Sequence, residues 1–251
     1  MDYYLCDKPQ GEIPTETLAR FKAEAQFPIN KICCAGRLDP MARGKLLVLV
    51  NEQCKNSSFY NKKDKIYEFS FVPGLTTDTT DLLGLIESSV STNISNVTIL
   101  NSINKFDGLT YEQEYHKFSS NTVRDLNGVK RPLYYFSRNN INVIIPKKSV
   151  TIYSMEHLDV KLFTKDEFES YVFQKLENLS ISYRNSFRHP EIVQNWHDYF
   201  QSQSSSETYT EYSFKAKVSA GVYIRQIVKD LSVDINIPLV TTDIYRTAFE
   251  F

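Results

Sequence analysis

Apolar and polar side chains alternate along Lys65-IYEFSFVPG, the pattern of a strand with one face buried and the other wet. Shorter apolar stretches at Tyr3-YLCDKP and after the glycine-bearing loop in Ile32-CCAGRLDPMARGKLLVLV predict further strands near the start. Ile141-NVIIP and Val150-TIYSMEHLDVKLF read as two strands separated by a Pro-Lys-Lys turn, and Leu239-VTTDIYRTAFEF as a last one. Three-to-four-residue spacing replaces alternation in other places. Leu18, Phe21 and Ala25 share a face of a helix that Thr15 or Thr17 would cap, residues 166–176 form a helix with an acidic side toward solvent, and a helical or mixed segment opens at Val97. Tyr212-SFKAKVSAGVYIRQIVKDLS predicts a strand that enters a helix near Tyr223, while Asp198-YFQSQSSSETYTEYS is polar enough to be a mobile linker. Strands interspersed with a few helices, without internal repeat or heptad, predict an α+β fold: a mainly antiparallel mixed sheet flanked by helices and loops, in one domain over residues 1–251.

Composition narrows the classes of protein this can be. At 41% hydrophobic and 24% charged residues, 251 residues bury a sizeable core, which argues against a mainly disordered chain. Cysteines stand at 6, 33, 34 and 54, and the adjacent Cys33 and Cys34 lack the separated pairs of a structural zinc site. Neither a metal nor an organic cofactor is expected, and free thiols suit a reducing compartment better than a disulfide-stapled secreted one. The strongest apolar run, Leu46 to Val50, has five residues against the ~20 that span a bilayer as a helix, so no membrane span is expected. The cytoplasm is the expected location, with organellar and viral settings left open.

Total charge is −1, yet the local balance is uneven. Eight Lys or Arg face three Asp or Glu between Lys31 and Lys65, and six face one between Asn121 and Lys148. Such segments suit a phosphate-binding surface and also occur in unrelated soluble proteins. Asp39 sits in Gly36-RLDPMARG, where Pro40 restricts it and the glycines permit a tight exposed bend, either a ligand-facing carboxylate or an ordinary Asp-Pro turn. Arg225, in the apolar setting of Gly221-VYIRQIV, needs a carboxylate partner if buried. Asp39 is one candidate; Asp230, or a route to solvent, is the simpler choice on spacing alone. In Thr76-TDTTDLLG, carboxylates and hydroxyls are placed to bind backbone N–H groups. A hydrolase built from Asp39 with His116 or His189 is disfavoured, because no Ser or Cys nucleophile is visibly paired with either histidine.

Gly36-RLDPMARG, Tyr67 and Gly221-VYIRQIV together resemble the TruB family of pseudouridine synthases. The resemblance runs through Asp7-KPQG, Thr77-DTTDLLG, Phe106-DG, Asn127-GVKRPLYYFSR, Val150-TIY and Ile244-YRTAFEF in the family's order. It implies the pseudouridine synthase fold, with Asp39 as the essential aspartate. It also implies that Tyr67 packs against a flipped base, supported by Tyr223 and Arg225. The implied reaction isomerises a specific uridine in RNA, usually in the T arm of tRNA, without metal or redox chemistry. An unperturbed tyrosine, with a pKa of about 10, would need help to act as the base at C5. Arg37, Arg43, Lys45, Lys65, Lys130 and Arg131 are candidate RNA contacts.

Departures from the family pattern bear on the RNA grip. The family's histidine falls at Cys34, the Pro-Pro-x-Tyr-Ser pattern becomes Glu114-YHKFS, and the Lys-Gly-Thr before Tyr-Ile-Arg becomes Ala220-GV. The chain also stops just after the segment where many relatives append a small RNA-binding domain. The expectation is a monomer without that domain, its affinity drawn from the catalytic unit or from a protein partner. A catalytically inactive RNA-binding or RNA-folding protein that retains the pocket is the alternative.

Overall fold

The computed structural model describes residues 3–91, 94–125 and 128–251. Its strands are β1 (Tyr4–Lys8), β2 (Ile32–Ala35), β3 (Arg43–Val50), β4 (Asp64–Pro73), β5 (Leu75–Thr77), β6 (Ile86–Ser89), β7 (Thr110–Glu114), β8 (Thr122–Arg124), β9 (Lys130–Pro132), β10 (Lys147–Thr164), β11 (Thr208–Val218) and β12 (Leu239–Glu250). The helices are α1 (Pro14–Glu24), α2 (Ser57–Asn61), α3 (Asn96–Asn104), α4 (Leu133–Arg138), α5 (Lys165–Glu177), α6 (Ile181–Ser186), α7 (His189–Ser202) and α8 (Ile224–Ile235). The main sheet has the order β1-β3-β12-β4-β11-β10-β7, with β2 also on β3. Every pairing is antiparallel except the short β3–β12 contact at Tyr245↔Arg43 and Arg246↔Gly44, so the predicted mixed, mainly antiparallel α+β sheet is what forms.

That parallel contact depends on Gly44. Its φ is +110°, and a β-carbon there would lie 2.2 Å from the carbonyl oxygen of Arg246, so only glycine lets the two strands meet. The meeting brings the end of the Asp39 loop beside β12.

β4 alternates as predicted, with Tyr67, Phe69 and Phe71 buried. Phe69, Phe71, Tyr212 and Phe214 make a ladder of rings across β4 and β11, with centroids 5.7–6.0 Å apart. In α8 the stripe Ile224, Ile227, Val228 and Leu231 is buried in the same core. Burying one such side chain contributes about 1.5–3 kcal/mol, so the stripe fixes the rotation of α8 and with it the direction of Arg225. On another flank Trp196 of α7 donates its indole N–H to the carbonyl of Leu82 at 3.1 Å, and Arg188 pairs with Asp78 at 2.6 Å. α7 therefore braces the Thr/Asp loop from outside.

Some local expectations are corrected. α1 starts at Ile13, whose N–H is taken by the Glu16 carboxylate at 2.8 Å, with Pro14 as the first helical residue. Thr17 is buried and donates to Glu12 instead of capping, while Leu18, Phe21 and Ala25 pack on one core cluster as expected. Residues 141–146 form no strand: Ile144 is 91% exposed, and Lys147 and Lys148 open β10 opposite Glu114 and Gln113. Apolar residues alone do not make a strand without a neighbour for their backbone groups. The expected linker at 198–213 is largely ordered structure. Ile192, Trp196 and Phe200 recur every four residues and carry α7 through the polar run to Ser202, and a turn closed by Glu207 N–H on Ser204 leads into β11.

Candidate active site

Asp39 stands on the loop between β2 and β3, its side chain 33% exposed. Lys8, at the end of β1, is buried and donates to the carbonyls of Ala42 (2.6 Å), Pro9 (3.1 Å) and Pro40 (3.3 Å), which clamps the loop at both sides of Met41. Arg225, in the first turn of α8, sends Nε and Nη2 to one oxygen of Asp39, Oδ2, at 2.9 and 2.6 Å. Its Nη1 donates to the carbonyl of Thr79 at 3.0 Å and lies 3.3 Å from Asp81. The arginine is 4% exposed, so both carboxylates serve one buried charge. Oδ1 of Asp39 has no hydrogen-bond partner among the described residues and is available to a ligand.

The Thr/Asp loop holds the second carboxylate as its residue types predict. Asp81 Oδ1 accepts from Thr79 Oγ1 at 2.6 Å and from the Leu83 N–H at 2.9 Å, and Asp78 accepts from the Leu85 N–H at 2.9 Å. Burial nevertheless pushes the Asp81 carboxyl above its usual range, against the pull of Arg225. Asp230, the simpler sequence candidate for Arg225, instead accepts from Gln226 (2.8 Å) and Tyr111 (3.0 Å).

Tyr223 caps α8 and is fixed from both sides. Its N–H donates to Gln113 Oε1 at 2.8 Å, Gln113 Nε2 returns to its carbonyl at 3.2 Å, and Asn121 donates to its hydroxyl at 2.5 Å. Burial, then the Asp39 charge, pushes its phenol up to about 12. Tyr67 accepts from Nη1 of Arg246 at 3.3 Å. Arg246 is fully buried and also donates to the carbonyls of Lys45 (2.7 Å) and Gly36 (2.8 Å), so it joins the tyrosine to the Asp39 loop.

Two cavities meet at Asp39. The first, about 490 Å³, is lined by Tyr67, Tyr223, Tyr115, Asp39, Asn121 and several cations. The second, about 600 Å³, is more apolar, with Leu18, Leu83, Phe118, Tyr183 and Phe187 in its wall. Cys34 lines both, its thiol pushed up by burial.

The predicted cations divide. Arg37 is exposed and lines both cavities; Lys65 is buried in the wall of the first. Arg43 is paired with Asp243 at 3.0 Å and stacked on Tyr245, and Lys45 is paired with Asp7 at 3.0 Å, so neither is a free charge. Lys130 and Arg131 are exposed on β9, with Arg131 over the Tyr135 ring. Asn127, which opens their motif, lies outside the described residues. His116 is buried, 3.4 Å from Thr80 Oγ1 and held well below its ordinary pKa by burial, and His189 faces the Leu176 carbonyl. Neither lines a cavity at Asp39, so the hydrolase arrangement is not assembled. Among the described residues no cluster of three or more His, Cys, Asp or Glu is placed to hold a metal, and no helix is long and apolar enough to cross a membrane.

Lys8, Tyr115, Gln113 and Arg246 were not singled out by sequence, and Asp81 only as one of the carboxylates of the Thr/Asp loop. The one available signal was a charged residue inside an otherwise apolar or motif-bearing strand, as in Asp7-KPQG and Ile244-YRTAFEF. Lys8 gives a direct test. With the Lys8→Met change the loop carbonyls lose their donor, a cost of about 1–3 kcal/mol in urea unfolding. The expected pH dependence has a definite sign. Burial holds the Lys8 ammonium down at about 8, whereas an unfolded lysine keeps its proton to ~10.4. Between those values the unfolded chain binds more protons, so wild type gains stability over Lys8→Met as pH rises from 8, and none below. A flat difference between pH 7 and 9.5 would remove the assigned burial penalty.

Residues 24–173 match the model of the TruB family pseudouridylate synthase (N terminal domain). The chain belongs to this family, and its fold is that of the pseudouridine synthases. It is 30% identical over 156 residues to "tRNA pseudouridine synthase B" of Actinobacillus pleuropneumoniae serotype 5b, covering 62% of this chain and 48% of that protein. A protein of the same description from Lactobacillus gasseri is 28% identical over 245 residues, covering 96% of this chain and 66% of the other. The chain spans about half the length of the first of these curated relatives. Among solved structures, "Crystal Structure of a Cbf5-Nop10-Gar1 Complex" superposes with a TM-score of 0.54 at 14% identity, covering 98% of this chain and 48% of that one. "Structure of H/ACA RNP bound to a substrate RNA containing 2'-deoxyuridine" gives 0.51, also at 14%, over 98% of this chain and 47% of that one. At this identity the superpositions concern the fold alone.

Proposed function

We propose that this chain converts uridine to pseudouridine in RNA, at a uridine of the tRNA T arm, with Asp39 as the essential carboxylate. The observation that carries the reading is the division of labour at Asp39: Arg225 occupies Oδ2 twice and leaves Oδ1 for the nucleotide, beside Tyr67 and Tyr223 in one cavity. The reaction conserves atoms. The C1′–N1 bond breaks, the base turns, C5 joins C1′, and the proton lost at C5 is matched by one gained at N1. A carboxylate serves it by attacking the sugar or base, or by stabilising an electron-poor sugar. Tyr67 offers a flat apolar face for the turning base, and its hydroxyl is tied to Arg246. Entry requires the nucleotide to leave its stack, a cost of a few kcal/mol that is smaller in a strained loop.

Family membership supports this reading, and so do relatives described as tRNA pseudouridine synthase B. Cys34, in place of the family's histidine on the wall of both cavities, favours the second reading, an RNA-binding protein without turnover. Product separates the two. Unmodified tRNA is incubated with wild type and with Asp39→Asn at equal concentration, and pseudouridine is mapped by position. Product at a T-arm uridine that vanishes in the variant is expected. RNA binding by well-folded wild type with no product, across tRNA and a wider RNA pool, gives the second reading.

A further inference from the structure

The wall of the cavity beneath Tyr67 carries more positive charge than its own residues neutralise. Asp39 is taken by Arg225, whereas Arg37, Lys65, Lys148 and Arg246 form no ion pair among the described residues. Arg246 spends its donors on Tyr67 and two backbone carbonyls. Lys65 is held by the carbonyls of Asn61 and Lys63, and the Lys148 ammonium by the carbonyl of Ala220. Carbonyl dipoles position an ammonium without cancelling its charge. Burial lowers both lysines below their ordinary pKa, Lys65 to about 8, and Arg246 and Lys148 add repulsion at Lys65. Such a wall attracts an anionic group.

Lys148 has a defined seat. It is the second residue of β10 and lies across the turn before Tyr223, where the family pattern would place a lysine at 220 and this chain has Ala220 and Gly221. Gly221 has a φ of +92°, and a β-carbon on it would lie 2.1 Å from the Lys148 ammonium. The glycine therefore clears the space that the ammonium occupies, in the wall of the cavity that Tyr223 and Asn121 also line.

We infer that Lys148, with Lys65 and Arg37, forms a phosphate subsite that holds the backbone phosphate of the nucleotide seated over Tyr67. This rests on the proposed nucleotide occupancy of the cavity, though not on turnover. Lys148 is a positioning residue here: it fixes the sugar's phosphate so that C1′ stays opposite Asp39. Recognition of this kind is independent of base sequence and adds to the salt dependence of RNA binding.

The test is calorimetric titration of the folded protein with uridine 5′-monophosphate and with uridine, joined to salt-dependent binding of an unmodified T-arm hairpin. Wild type is expected to bind the monophosphate at least about tenfold more tightly than the nucleoside, a preference lost in Lys148→Met and kept in Lys148→Arg. For the hairpin, the slope of log K against log salt should fall by about 0.7 in Lys148→Met, the value for one phosphate contact. Equal binding of nucleotide and nucleoside, a preference that survives Lys148→Met, or an unchanged hairpin slope would each overturn the subsite. Because these readouts need no product, an inactive protein that passes them loses the synthase reading and keeps the subsite; an active one that fails them does the reverse.

Discussion

Asp39→Asn is expected to lower the single-turnover rate of pseudouridine formation by on the order of 10⁴ or more while RNA affinity changes by less than about threefold. The asymmetry follows from geometry. Asparagine keeps the size of the side chain and one carbonyl oxygen for Arg225, yet it supplies no anionic oxygen to the nucleotide. Folding should be nearly intact, since Arg225 retains Asp81 at 3.3 Å and the Thr79 carbonyl at 3.0 Å, and a cost of about 1 kcal/mol is expected for a pair whose carboxylate is a third exposed. Quench-flow rates beside filter-binding constants decide the matter. A variant that loses binding and rate together would make Asp39 a structural anchor.

The second large effect is on stability. Arg225→Met should destabilise the fold by about 3–5 kcal/mol, because Asp81 is left buried with no counter-ion and Asp39 is left without its guide. For a chain of this length that is a fall of roughly 6–20 °C in Tm. Adding Asp81→Asn to Arg225→Met removes the stranded charge, so the double variant should recover stability relative to the single one, a coupling of about 0.5–3 kcal/mol. The recovered protein should still be inactive, as nothing aims Asp39. If Arg225→Met alone melts within about 2 °C of wild type, the buried three-residue ion cluster is not what holds α8 to the Asp39 loop.

Much of this arrangement was legible in the chain. Alternation found β4, the four-residue apolar stripe found α8, and Asp-Pro between glycines marked the loop that carries the carboxylate, because each signal lies within one element and depends on its own period. The Thr/Asp loop was readable for the same reason: its side chains bond to their own backbone two to seven residues away. α7 was not read at all, and its last turn was taken as part of a linker, because a polar run resembles a linker unless the buried Trp196 and Phe200 are known to share a face against the core. Residues 141–146 were misread because an apolar run does not reveal whether a partner strand lies alongside.

The partner of Arg225 belongs to a different order of information. Asp39 is 186 residues away and Asp230 only five, so nearness along the chain favoured the wrong carboxylate. The stripe that buries α8 against the sheet turns Arg225 toward the loop and Asp230 toward Tyr111. Arg246 reaches Gly36 across 210 residues, and it does so because β12 pairs with β4 antiparallel and touches β3 in parallel, with a register shift after Arg246. Lys148 meets Gly221 because β10 is hydrogen-bonded between β7 and β11. Periodicity and turn chemistry, being local, set the elements, and the order of short motifs along the chain carried the family resemblance that pointed to Asp39, Tyr67, Tyr223 and Arg225. Which charges meet, which carboxylate oxygen is left open and which lysines share a cavity depend on strand register and helix rotation, and these are settled only when distant segments bury their apolar faces together.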